Sequence, residues 1–174
     1  HKNLAGGAII DDFDNDGFLD IVVSGTGGIE RSKLWLIRNL GENRFEDASP
    51  LLPQLASSGI LDAGDLDDDG DMDLAWIDSD VRLLRNDGGN TNRWLDVELN
   101  AAVRGSGKNN FYGIGSTLEL NTETHYQSRL VTSPVTHLGL GAYDQADVMR
   151  VIWSNGVPQN RVTPETNTRI VEEQ

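Results

Sequence analysis

Two nine-residue stretches carry the side chains best suited to chemistry in this chain of 174 residues. Asp12-Phe13-Asp14-Asn15-Asp16-Gly17-Phe18-Leu19-Asp20 and Asp65-Leu66-Asp67-Asp68-Asp69-Gly70-Asp71-Met72-Asp73 both place aspartate at positions one, three, five and nine, with glycine at six. Alternate spacing lets a tightly curled backbone aim successive carboxylates at one point, and glycine supplies the dihedral freedom of the curl. A hard cation that takes six to eight oxygens suits such a cage, so the expected ligand is calcium, two ions in all. Asp12, Asp14, Asp16 and Asp20 with the backbone carbonyl of Phe18 make the first expected ligand set. Asp65, Asp67, Asp69 and Asp73 with the carbonyl of Asp71 make the second, and water fills remaining positions.

An EF-hand offers glutamate at position twelve between helices, but Val23 and Trp76 stand there inside strand-like runs. Magnesium dehydrates reluctantly and prefers fewer carboxylates, while zinc takes His or Cys. The plain alternative is a pair of solvated acidic turns, because Asp and Gly form turns readily. Four like charges converging in one short loop are costly without a cation, and the pattern occurs twice. No histidine accompanies either loop, so the expected role of the metal is structural.

The elements that must hold these loops repeat with them. Gly7-Ala8-Ile9-Ile10-Asp11 precedes the first loop and Ile21-Val22-Val23 follows it, as Ile60 through Gly64 precede the second and Leu74-Ala75-Trp76 follow. The loops lie 53 residues apart, whereas Leu34-Trp35-Leu36-Ile37-Arg38-Asn39 with Gly41 and Val81-Arg82-Leu83-Leu84-Arg85-Asn86 with Gly88 lie 47 apart, so the second copy is shorter by a few residues. Each copy reads as strand, acidic loop, strand, turn, strand, turn, strand, with the last strand around Arg44-Phe45-Glu46 in the first and Trp94-Leu95-Asp96-Val97 in the second. Four short strands per unit is a propeller-blade pattern. From about Arg93 the acidic loops cease, and half-buried alternation appears in Trp94 through Leu99 and Ser116 through Leu120. Val148 through Trp153 reads as a strand ending in the turn Ser154-Asn155-Gly156, and Arg104 through Asn110 as a flexible polar loop. The expected division is 1–92 and 93–174, and the expected class is all-β: two four-stranded blade-like repeats with calcium loops, then a β-rich C-terminal domain.

Composition agrees with short strands and tight turns: 19 glycines, 6% aromatics and 37% hydrophobic residues. A net charge of −14 repels nucleic-acid phosphates and anionic membranes, and two calcium ions would bring it to −10. The lack of cysteine excludes disulfides, thiolate metal sites and thiol catalysis. No apolar run reaches the roughly 18 residues that span a bilayer. The start at His1, without methionine or a signal-like segment, reads as a processed or excised piece.

With its acidic loops and the Arg38-Asn39 and Arg85-Asn86 strand endings, the first part of the chain resembles the FG-GAP/VCBS repeats of integrin-like propellers. The remainder resembles the ASPIC/UnbV domain that follows such repeats in proteins similar to cartilage acidic protein. That resemblance rests on Trp94-Leu95 with Val97 and Leu99, Gly113-Ile114-Gly115-Ser116, Leu138-Gly139-Leu140-Gly141, and Val148 through Trp153 with Gly156. Ser154 stands where that family usually has proline. The resemblance implies a β-propeller followed by a β-rich cap. Two blades do not close a ring of four to eight, so strand edges open to a protein partner or to self-assembly are expected.

Catalytic signatures are missing: His1, His125 and His137 have no metal-ligand spacing, there is no nucleophile elbow or phosphate loop, and Gly25-Thr26-Gly27-Gly28 reads as a hairpin turn. The carboxylates Glu30, Glu98 and Glu119 carry no mark of a shared cleft. The chain is therefore expected to be no enzyme. Three readings stand: an extracellular, cell-surface or periplasmic calcium-binding module for structure, adhesion or assembly; a carbohydrate-binding module using Trp35, Trp76, Trp94 or Trp153; and an accessory part of a larger secreted hydrolase or lyase.

Overall fold

The computed structural model describes residues 7–27, 31–53, 59–77, 80–88, 91–101 and 110–174. His1, Gly28, Glu30 and the stretch from Arg104 to Asn109 in the expected polar loop lie outside them. The chain divides into two compact units, His1–Asp14 with Phe18–Asn90, and Asn15–Gly17 with Thr91–Gln174. Among the described residues the protein is all-β, with one turn of 3₁₀ helix at Ser49–Leu51.

In the first unit, β1 (Ala8–Asp11), β2 (Asp20–Gly27), β3 (Arg31–Asn39) and β4 (Phe45–Asp47) form an antiparallel meander in chain order. A second meander follows, of β5 (Ile60–Gly64), β6 (Asp73–Ile77) and β7 (Val81–Leu84). The two registers correspond: Asp11 pairs with Asp20 where the first acidic loop closes, and Gly64 with Asp73 where the second does. Alternating residues of these strands bury Val22, Leu34, Leu61, Leu74 and Trp76 in one core, joined from the loops by Phe13 and Met72. Ser24, buried between the meanders, donates its hydroxyl to the Gly59 carbonyl at 2.8 Å and accepts from the Gly7 amide at 2.9 Å.

The second repeat departs from the expected strand count. Its described meander has three strands, and Trp94–Val97, expected as its fourth, lies in β8 (Arg93–Asn100) of the other unit. The cause is burial: Leu95, Val97 and Leu99 are inaccessible and point into the core of the second unit.

That unit holds two sheets. One orders β10 (Tyr126–Leu130), β9 (Thr117–Asn121), β12 (Val148–Ile152) and β13 (Pro158–Val162). The other orders β11 (Val135–Gly141), β8 and β14 (Thr168–Glu173), with β14 running parallel to β8. Leu118, Leu120, Met149 and Val151 from the first sheet and Leu95, Val97, Leu99 and Leu138 from the second share one core with Trp153. Period-two alternation on both sheets produces it. Gly113 turns at a φ of 62°, where an added Cβ would meet Leu99 at 2.8 Å, so only glycine fits this corner.

Candidate metal centres

Each acidic loop joins the first two strands of its meander and curls in the same way. Position four is left-handed in both, Asn15 at a φ of 57° and Asp68 at 59°, and so is position six, Gly17 at 92° and Gly70 at 90°. Asn and Asp are among the few side-chain-bearing residues that tolerate this region, and glycine enters it without strain. The curl gathers Asp12, Asp14 and Asp20 so that one carboxylate oxygen from each lies within 4.8 Å of the others, and it does the same for Asp65, Asp67 and Asp73. Asp16 and Asp69, at position five, stand outside these triads. Asp69 accepts the Asp71 amide at 3.0 Å, and Asp71 is fully buried. Phe18, at position seven of the first loop, is half-buried.

The ninth residue is fixed by the same pair of peptide donors in both copies. Asp20 accepts the Phe13 amide at 3.2 Å and the Asn39 amide at 2.8 Å, while Asp73 accepts Leu66 at 3.1 Å and Asn86 at 2.8 Å. At position one, Asp65 accepts the amides of Asp69 and Gly70, each at 3.1 Å. These bonds leave the loops little freedom, because a buried peptide N–H needs its acceptor.

The Arg-Asn endings, visible in the sequence only as a repeated marker, prove to be part of the loops' support. Asn39 donates its side-chain amide to the Leu19 carbonyl at 3.2 Å and takes the Gly41 amide on its oxygen at 3.1 Å. Asn86 repeats this with Met72 at 3.4 Å and Gly88 at 3.1 Å, and reaches the Phe13 carbonyl of the first loop at 2.7 Å. The arginines address position three: Arg38 donates to Asp14, and Arg85 donates to Asp67 at 3.2 Å. Spacing within the loops alone gives no hint of these partners, which lie 18 and 24 residues further along the chain.

The donor set is oxygen throughout, with no His or Cys in either triad, which fits a hard divalent cation rather than zinc. Burial of Asp12, Asp20 and Asp73 beside other carboxylates gives a cation a strong electrostatic reason to bind.

Two histidines do meet the first loop, within the second unit: His125 bonds through Nε2 with the Gly17 carbonyl at 3.3 Å and His137 through Nε2 with the Asn15 side-chain oxygen at 2.6 Å, and neither belongs to a triad. His137, buried in β11, bonds through Nδ1 to Asp96 of β8 at 2.9 Å, and Arg169 of β14 reaches the other oxygen of Asp96 at 3.1 Å. The three occupy one row across the sheet, since His137 and Arg169 both pair with Asp96 in register. Of the four tryptophans, Trp76 and Trp153 are sealed in the cores and are unavailable to a sugar, and Trp94 stacks near His137 with ring centroids 6.2 Å apart.

Residues 12–76 match the family model of the FG-GAP-like repeat, a span that includes both triads. No curated protein matches the chain. Among the described residues no helix is long and apolar enough to cross a membrane.

Proposed function

We propose that the chain is an extracellular calcium-binding module of structural, adhesion or assembly type, without catalysis of its own. The observation that carries this reading is the same carboxylate triad, on the same loop curl and the same peptide donors, built twice inside a span that matches the FG-GAP-like repeat. Asp12, Asp14 and Asp20, and Asp65, Asp67 and Asp73, hold the two ions, with the Phe18 and Asp71 carbonyls and the position-five carboxylates of Asp16 and Asp69 completing the sets, directly or through water. The ions supply charge that the converging carboxylates lack, and so lock each hairpin connection. Affinity near 10⁻⁴ M, typical of extracellular modules, leaves such sites filled outside the cell and nearly vacant in cytosol. A secreted, cell-surface or periplasmic location follows from that chemistry.

The partner is another protein or a further copy of this chain, joined through strand edges. β4 and β7 end their sheet orders, and β7 presents Val81 and Leu83, each more than three-fifths exposed. The segment from Thr91 onward is an ASPIC/UnbV-like domain in this reading. Calorimetric titration of chelator-treated protein with calcium chloride is expected to give two equivalents of uptake, and no uptake removes the reading.

One observation favours a sugar-binding alternative. A cavity of about 270 Å³ lies on the sheet of β9, β10 and β12, lined by Glu119, Asn121, Tyr126, Val148 and Arg150. Tyr126 is 58% exposed and donates to Glu119 at 2.9 Å, which raises its phenol pKa above the ordinary value. An aromatic face beside planar polar groups is what a pyranose ring takes, and a glycan array with the Tyr126→Ala variant as control distinguishes the two readings.

A further inference from the structure

Resting on the calcium reading above, we infer that Arg38 and Arg85 are built-in counter-cations that set the two loops' affinity for metal, and that Asp87 makes the second loop the tighter site. The position-three carboxylate of each triad is the one held by a guanidinium: Asp14 by Arg38, Asp67 by Arg85. Position nine in both copies and position one in the second accept peptide N–H groups, as Asp20, Asp73 and Asp65 show. The guanidinium acts on the remaining, position-three carboxylate. What it contributes is charge.

A cation on the third ligand has two opposite effects. Without metal it relieves the repulsion among three gathered carboxylates and keeps the hairpin connection folded. With metal it repels the divalent ion and lowers affinity. In both copies the arginine holds Oδ2 of the position-three carboxylate.

The two copies differ at one residue of the Arg-Asn-x-Gly ending. Leu40 follows Arg38-Asn39, whereas Asp87 follows Arg85-Asn86. Asp87 forms its own ion pair with the Arg85 guanidinium. Arg85 is thus divided between two carboxylates, and its side chain is 62% exposed, against 33% for Arg38. The second loop also carries Asp68 and Asp71, where the first has Asn15 and Phe18. Against the one opposite difference, Asp11 where the second copy has Gly64, these three aspartates leave the second loop the more negative, so it fills at lower calcium.

The test is a calcium titration of chelator-treated full-length chain followed by amide NMR, with the position-six glycines Gly17 and Gly70 as separate reporters. In the wild type the Gly70 signal is expected to move at lower calcium than Gly17. Arg38→Gln is expected to lower the Gly17 midpoint about threefold to tenfold, leave Gly70 unmoved, and lower the melting temperature of the chelated protein. Arg38→Lys, which keeps the charge, is expected to stay near wild type. Asp87→Asn is expected to raise the Gly70 midpoint, and to have much less effect in an Arg85→Gln background, because its action runs through that guanidinium. Should Arg38→Gln fail to stay folded under chelation, Arg85→Gln carries the same test at an exposed position. Unchanged or weaker calcium binding in the arginine variants, or Gly17 moving first, overturns the inference while the calcium reading stands. Absence of any calcium response in the wild type overturns both.

Discussion

Asp73 illustrates how much of each loop is held by peptide hydrogen bonds rather than by charge. Its carboxylate, 2% exposed, takes the Leu66 amide with one oxygen and the Asn86 amide with the other. Asp73→Ala leaves both donors without that acceptor, and the expected cost in calcium-free buffer is about 2–4 kcal/mol by urea denaturation. A variant that loses nothing there would show that the position matters only as a metal ligand. Half of this arrangement was legible in the sequence. Spacing named the acids of both triads, because odd-numbered positions of a curled loop share a face. It did not show the left-handed residue at position four, Asn15 or Asp68, although both are types that accept that conformation. Nor did it separate Asp16 and Asp69 from the triads, since that depends on the Asx-type turn Asp69 makes with Asp71 and on angles that no spacing encodes.

At the scale of strands, β8 is the element on which the second unit is built. It lies between β11 and β14, and Leu95, Val97 and Leu99 all face the core. Leu95→Ala is expected to destabilise that unit by about 3–4 kcal/mol, whereas Leu83→Ala on β7, with its side chain 62% exposed, is expected to change stability by about 0.5 kcal/mol or less. Chemical denaturation of the two variants in parallel gives the comparison. The alternation of Trp94 through Leu99 announced the strand but not that its polar face is covered too, Asp96 being buried between His137 and Arg169. Its assignment to a sheet was not legible, because a period of two tells which side of a strand is apolar and not which core receives it. The row of His137, Asp96 and Arg169 escaped notice for a related reason. Its members are 41 and 73 residues apart, and only strand register brings them together.

For the whole molecule, the separation of the apolar residues into two cores has a thermodynamic consequence. One core draws on β2, β3, β5 and β6 together with Phe13 and Met72 from the loops, and the other on the strands from β8 onward. Cation binding acts through the loops, and although Asn15–Gly17 belong to the second unit, both loops join strands of the first, so the stabilisation falls mainly on the first unit. At an affinity of about 10⁻⁴ M, millimolar calcium contributes roughly 1.4 kcal/mol per site, enough to raise the midpoint of that unit by about 10 °C for two sites. Differential scanning calorimetry of the intact chain is expected to show the larger calcium-dependent shift in the transition of that first unit. A single transition moving as one block would show that the cores unfold together.

The parallel pairing of β14 with β8 carries a kinetic corollary. Arg169 meets Asp96 at a sequence separation of 73, and the pairing runs on to Glu173 beside Asn100. Closing so long a span is entropically slow, and on the ribosome nothing upstream of residue 168 can supply that flank of the sheet. The strands of the first core can therefore pair while synthesis continues, whereas the second unit, Asn15–Gly17 of the first loop included, still waits for its last ribbon.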